Sequence, residues 1–180
     1  MRIVGGKYRG KKLQTPEGNN VRPTSERARE AIFNILYSKL GGDYSSMNLL
    51  DIFCGTGAFG FEALSRGFKH VTFVDKNVDL VQKNARLFAA EKEHFDILQN
   101  DASHLSKPRR LYDLVFMDAP YAMGLSETAL HQLLQQRWLN ERAICIVEVR
   151  KDERWPLPQG LELLDERVYG LARVLFLRKN

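Results

Sequence analysis

The chain has 180 residues, 44% hydrophobic and 27% charged with a formal net charge of +5, enough to bury a sizeable core and too apolar for a disordered segment. No run approaches the roughly 20 apolar residues needed to span a bilayer, and the opening MRIVGGKYRGKK lacks the apolar centre of a secretion signal, so a cytoplasmic location without a membrane partner is expected. Cys54 and Cys145 have no CxxC partner and the four histidines are scattered, which argues against disulfide, zinc or iron-sulfur chemistry and sets the metal expectation at none.

The charge is unevenly placed. Residues 1 to 30 hold eight Lys or Arg against three acids, and the remainder balances at 19 against 19. A basic start on a neutral body suits a polyanionic partner, because each neutralised phosphate releases condensed counterions. A solvated, charged tail has the same composition. Residues 1–24 form a basic appendage in this reading, with RIVGG and KYRGKKL making a short hairpin turned at Gly5-Gly6 and carrying Lys7, Arg9, Lys11 and Lys12. Residues 25–180 form the main domain. Thr24 or Ser25 caps a helix to about Leu40, whose residues Ala28, Ala31, Ile32, Ile35, Leu36 and Leu40 recur at helical spacing and leave Arg27, Glu30 and Asn34 on another face.

From residue 48, apolar strands alternate with amphipathic helices: NLLDIF, then Ala58 to Arg66; HVTFVD, then Asn77 to Glu91; DILQND; YDLVFMD, then Ser126 to Trp138; AICIVEV. Strand and helix in turn specify a parallel sheet. LELLDERV and ARVLFLRK, joined at Tyr169-Gly170 with no room for a helix, form an antiparallel pair at one edge. This pattern resembles the class I S-adenosylmethionine-dependent methyltransferases. The resemblance implies an α/β, Rossmann-like fold with a seven-stranded, mostly parallel sheet ending in an antiparallel C-terminal hairpin.

LLDIFCGTGAFG places Gly55, Gly57 and Gly60 in a GxGxxG pattern between a buried strand and a helix start, the right context for a nucleotide site. Glycine is expected there because a side chain would hold the ligand away from the backbone. Asp75, 20 residues after Gly55 at the next strand end, is placed to accept from ribose hydroxyls. These features fit NAD as well as S-adenosylmethionine. Asp51, four residues before Gly55, suits an ammonium and a sulfonium better than a pyrophosphate, and Asp101 with the N–H of Ala102 suits an adenine edge. A loop brace for Asp51 and an ordinary strand-end acid for Asp101 are the plainer readings. With Cys54 and Lys76 beside the loop and strand end, these residues make the cofactor set for S-adenosyl-L-methionine.

The fourth strand ends in FMDAPY. In open sheets of this kind the strand order reverses between the first and fourth strands, so Asp118 is expected opposite the glycine loop and beside the cofactor. DAPY resembles the (Asp/Asn)-Pro-Pro-aromatic signature of amino-group methyltransferases, with Ala119 in place of the first proline. An exocyclic purine amine is a weak nucleophile, its lone pair being delocalised into the ring. Hydrogen bonds from its two protons, one to the Asp118 carboxylate and one to the Ala119 carbonyl, would aim that lone pair at the methyl. Pro120 fixes the turn, and Tyr121 is expected to stack on the extruded base.

RIVGGKYRGKKL, RPTSERAREAIFNIL, LLDIFCGTGAFGFEALSRG and DAPY together resemble the RsmD family of bacterial 16S ribosomal RNA guanine-N2 methyltransferases over essentially the full length. Ser25-Glu26, where Thr-Asp is frequent, and Ala119 depart from the family pattern. The resemblance implies methylation of one guanine in small-subunit ribosomal RNA, in an assembled or nearly assembled 30S particle. A monomer is expected. It also implies that Arg22 and Arg27 contact cofactor carboxylate or RNA phosphate, while the basic hairpin sets the position of the RNA. Two rivals remain, an adenine-N6 methyltransferase and a silent RNA-binding factor. The first usually needs a target-recognition domain for which 180 residues leave no space.

Overall fold

The computed structural model describes residues 1–16, 25–121 and 123–180. Among these, seven strands form one sheet: β1 (Asn48–Ile52), β2 (His70–Asp75), β3 (Phe95–Gln99), β4 (Tyr112–Asp118), β5 (Leu139–Arg150), β6 (Leu161–Tyr169) and β7 (Ala172–Lys179), in the order β3-β2-β1-β4-β5-β7-β6. The first five strands run parallel, while β7 pairs antiparallel with both β5 and β6. This is the class I methyltransferase arrangement expected from the sequence.

The helices are α1 (Glu26–Leu40), α2 (Ala58–Ser65), α3 (Asp79–Ala85) and α4 (Leu125–Gln135). Ser25 caps α1, its hydroxyl accepting from the Ala28 N–H, and Gly41 closes the helix at φ 77°. Thr24 lies outside the described residues, as do Arg22 and Pro23. Two apolar layers sandwich the sheet. One joins Ile32, Phe33 and Leu36 of α1 to Phe61 of α2 and Phe73 of β2; the other joins Leu130 and Leu133 of α4 to Val115 and Met117 of β4.

Three expected boundaries shift. The helix expected over Asn77 to Glu91 stops at Ala85 and continues as a 3₁₀ segment, Arg86–His94. Phe88 breaks it at φ −118°, ψ 29°, where its ring is drawn inward to stack on Phe61 at 4.4 Å and meet Tyr8 edge-on at 5.1 Å. Helix α4 ends at Gln135 rather than Trp138, because Arg137 turns to φ 59° and Trp138 is buried, its indole N–H donating to the Ser106 carbonyl. Strand β5 begins at Leu139, four residues before the apolar run that signals it.

Residues 1–13 make the antiparallel bridge Arg2 to Lys12, with the turn spread over Gly5 to Gly10 rather than confined to Gly5-Gly6. Ile3 and Leu13 are buried in the α1 layer of the core. The turn is fastened to the end of α2: Lys7 N–H donates to the Ser65 carbonyl at 2.7 Å, Tyr8 N–H to Ser65 Oγ at 2.8 Å, and Ser65 Oγ to the Gly5 carbonyl at 2.6 Å.

Candidate active site

Strand register brings the two expected reaction elements together. Leu49 to Ile52 of β1 pair with Leu114 to Met117 of β4, so the glycine loop and Asp118 emerge side by side from neighbouring strand ends. They open onto one crevice of about 870 Å³, within the range of small-molecule sites. Asp51, Cys54, Gly55, Asp75, Lys76, Asp101, Ala102, Asp118, Ala119, Pro120 and Tyr121 all line it. Gly57 does not.

The glycines serve two different purposes. Gly55, at φ 51°, meets no atom closer than 4.0 Å where a side chain would begin, so its backbone faces open crevice. A Cβ on Gly57, at φ 75°, would fall 2.7 Å from Phe61 and Val81, and one on Gly60 would overlap the Phe73 ring. Gly60 is required by the packing of α2 on β2 and Gly57 by the close approach of Phe61 of α2 and Val81 of α3, whereas the GxGxxG pattern assigns all three to the ligand. Phe53, also lining the crevice, takes φ 59° as the chain leaves β1, a conformation that costs a non-glycine residue about 1–2 kcal/mol.

Asp51 is buried and its carboxylate accepts from the Gly60 N–H at 2.9 Å, capping the first turn of α2 from the neighbouring strand. Burial pushes its carboxyl well above the usual range; the Gly60 bond opposes this, and the nearby Asp75 and Asp118 charges add to it. Asp75 braces the loop, accepting from the Gly55 N–H at 2.9 Å and the Asn77 N–H at 3.1 Å. Asp101 accepts from the Ser103 hydroxyl and N–H on one oxygen and meets Lys76 Nζ at 3.0 Å on the other. Those Ser103 bonds, then Lys76, hold it far below the ordinary carboxylate range, so it is ionised throughout the neutral region. The oxygen facing Lys76 keeps lone-pair capacity for a further donor.

Tyr121 is 39% exposed, and its hydroxyl donates to Glu148 Oε1 at 2.9 Å. Glu148 is buried on β5 directly beside Asp118 in the strand register. Its sequence signal is an acid within the apolar run AICIVEV, which strand periodicity alone passes over. Periodicity also misses the apolar floor: Phe59 of α2 and Phe116 of β4 stack with centroids 3.7 Å apart and rings 2° from parallel. Asn84 of α3 is a further residue without a local signal. Fully buried, it donates to the Thr56 carbonyl at 2.9 Å and exchanges bonds with Gln14, tying the glycine loop to the N-terminal segment.

Arg29 carries no sequence signal for the site. It sits 1% exposed on α1, lines the crevice, and lies 3.5 Å from the fully buried Glu62 of α2. Glu62 also accepts from Arg66 Nε at 2.8 Å and the Val4 N–H at 2.8 Å. Arg27, one of the expected contacts, is exposed on α1 and does not line the crevice.

The basic hairpin divides. Lys7 pairs with Glu91 at 2.5 Å, and Lys11 donates to the Leu87 carbonyl while its ammonium lies 4.6 Å from the Tyr8 ring centre. Arg9 and Lys12 are exposed. Burial raises the Cys54 thiol well above its ordinary value and pushes Cys145 up to about 12, which keeps both thiols protonated at neutral pH.

The chain is similar to known proteins over nearly its whole length. The family described as "Conserved hypothetical protein 95" matches residues 1–178. A Haemophilus influenzae protein named ribosomal RNA small subunit methyltransferase D is 34% identical over 178 residues, covering 96% of this chain and 90% of that protein. The Escherichia coli protein of the same name is 32% identical over 173 residues, covering 94% and 85%. The chain belongs to the RsmD family. Among solved structures, yhhF of Escherichia coli superposes on this RsmD-family fold with a TM-score of 0.84 at 28% identity, covering all of this chain and 98% of the other.

Proposed function

We propose that this RsmD-family chain transfers the methyl group of S-adenosyl-L-methionine to the exocyclic N2 amine of a guanine in small-subunit ribosomal RNA, within the 30S particle. One observation carries the reading: the glycine loop with Asp51 and the Asp118 to Tyr121 turn line a single crevice at the β1/β4 strand ends, where the sheet order reverses. The names of the relatives supply the RNA class.

The lining suits such a cofactor. Carboxylates from Asp51, Asp75, Asp79, Asp101 and Asp118 face three cations, Arg29, Lys76 and Lys83, above an apolar floor of Phe59 and Phe116. That balance fits a ligand with two positive centres, one carboxylate and a purine. S-adenosyl-L-methionine, when bound, supplies a methyl on a sulfonium, already electrophilic and in need of little activation. Asp51 faces the positive centres, the Gly55 and Cys54 backbone receives the amino-acid portion, and Asp75 receives the ribose. Asp101, kept in place by Lys76, and the Ala102 N–H receive the adenine. The Asp118 carboxylate and Ala119 carbonyl accept from the two guanine amino protons, and Asp118 is the acceptor for the proton released when N–H becomes N–CH₃. Tyr121, its hydroxyl anchored on Glu148, stacks on the extruded base, a contact worth on the order of 1–3 kcal/mol. Arg9 and Lys12, exposed on the anchored hairpin, carry the phosphate contacts, and the chain acts as a monomer.

Labelled cofactor incubated with 30S particles, free 16S RNA and DNA, followed by nucleoside analysis, tests this. N2-methylguanosine from 30S particles is expected. N6-methyladenosine, or label in DNA alone, would replace the guanine reading with the adenine one.

A further inference from the structure

Arg29 is unusual among the charged groups of the crevice, being buried as completely as the phenylalanines around it. Its Nη2 donates to the Arg2 carbonyl, and its Nε faces Glu62 at 3.5 Å without the alignment of a hydrogen bond. Nη1 is buried with no hydrogen-bond partner among the described residues. A guanidinium presents five donors in a rigid fork and is charged at any physiological pH, so leaving Nη1 and Nε unmatched in a low-dielectric site is costly. Glu62 balances the charge, yet Glu62 is already shared with Arg66 and the Val4 N–H. Burial pulls the Arg29 guanidinium below its ordinary value, with Glu62 and Glu26 acting against that pull.

The position of the unmatched donor selects its ligand. Arg29 lines the same crevice as Asp51, close enough for its charge to act on the Asp51 carboxyl. Lys76 is committed to Asp101 and 68% exposed, and Lys83 is exposed on α3. Among the described lining residues, Arg29 is therefore the buried cation. A small ligand that brings a terminal carboxylate into the crevice would supply the acceptor that Nη1 lacks. A backbone phosphate, flanked by nucleosides on both sides, is poorly shaped to reach a group with 1% exposure.

We propose that Arg29 binds the carboxylate of the cofactor's amino-acid portion, a deepening that rests on the cofactor reading above. Asp51 and Arg29 then form a matched pair of opposite charges, one for the ammonium and one for the carboxylate. The same guanidinium holds the Arg2 carbonyl, so the residue that grips the cofactor also fastens the basic hairpin.

Two ligands that differ in one group test this: S-adenosylhomocysteine and its decarboxylated analogue, titrated by calorimetry into the same protein. The wild-type chain is expected to prefer the carboxylate-bearing ligand by about 10- to 100-fold, the strength of a charge-assisted hydrogen bond in a buried site. In Arg29→Met the preference collapses toward unity, the decarboxylated ligand binding as well as it does to wild type. Should the methionine variant fail to fold because Glu62 is left unbalanced, Arg29→Lys keeps the charge but not the fork and is expected to show an intermediate preference. A preference that survives intact in both variants, or is absent from wild type while both ligands bind, overturns the role of Arg29 and leaves the cofactor reading standing. Failure of wild type to bind either ligand removes the cofactor reading itself, and the Arg29 role with it.

Discussion

Asp51 has two jobs that a single substitution separates. As a brace it accepts the Gly60 N–H; as a charge it faces the crevice. Asp51→Asn keeps an oxygen for Gly60 and removes ionisation. Because burial raises the Asp51 carboxyl in the folded state, the protonated form is the one the fold prefers. Its contribution to stability is complete below the unfolded value of about 3.9 and is lost as pH rises through the folded value, at roughly 1.4 kcal/mol for each tenfold displacement of the proton equilibrium. The asparagine variant carries no such loss. Urea titrations at about pH 5 and about pH 8 should therefore find it gaining on wild type as pH rises, and at least as stable at the upper value. Its affinity for S-adenosyl-L-methionine, read by calorimetry, should nevertheless fall by about 10- to 100-fold, the worth of one charge-assisted hydrogen bond. Asp51→Ala, which orphans the Gly60 N–H, should in addition lose about 1–3 kcal/mol of stability. An asparagine variant that binds cofactor like wild type would reduce Asp51 to a brace. One that is much less stable at the higher pH would show the ionised form to be the stabilising one.

Asp118→Ala should lower methyl transfer by more than about a hundredfold while leaving calorimetric cofactor affinity near wild type; near-normal turnover would refute its place at the amine. Reversing Arg9 and Lys12 to Glu should flatten the dependence of log K on log salt by about 0.7 to 0.9 for each phosphate no longer neutralised, whereas reversing Lys7, already spent on Glu91, should chiefly loosen the hairpin. An unchanged slope would remove that surface from the RNA interface. Gly60→Ala should cost about 1–3 kcal/mol in urea titrations because the methyl overlaps the Phe73 ring, and full stability would mean α2 can slide to admit it.

What is legible in the sequence is whatever depends on neighbours in the chain. Alternating runs of NLLDIF, HVTFVD and YDLVFMD report strands because burial on both faces leaves continuous apolar segments, and the short link at Tyr169-Gly170 compels an antiparallel return. Strand-end acids and the DAPY turn fall on one crevice once the sheet order is assumed. Arg29 is not legible in this way. An arginine on an amphipathic helix reads as solvent-facing, and its burial depends on Glu62, 33 residues away, and on the Arg2 carbonyl. Lys7 and Lys11 read as free for RNA for the same reason, since Glu91 and the Leu87 carbonyl reach them only through tertiary packing. The break at Phe88 follows the same logic, a ring captured by Phe61 overriding a local preference for helix.

In the proposed complex the cofactor's reacting centre at the β1 end faces the Asp118 to Tyr121 turn at the β4 end. A crystal structure with S-adenosylhomocysteine measures this directly. The thioether sulfur is expected in the crevice beside Gly55, open on the Asp118 side with room for an amine nitrogen to approach the position of the transferred methyl at about 3–3.5 Å. A sulfur turned away from Asp118, or a ligand seated outside the crevice, would contradict it.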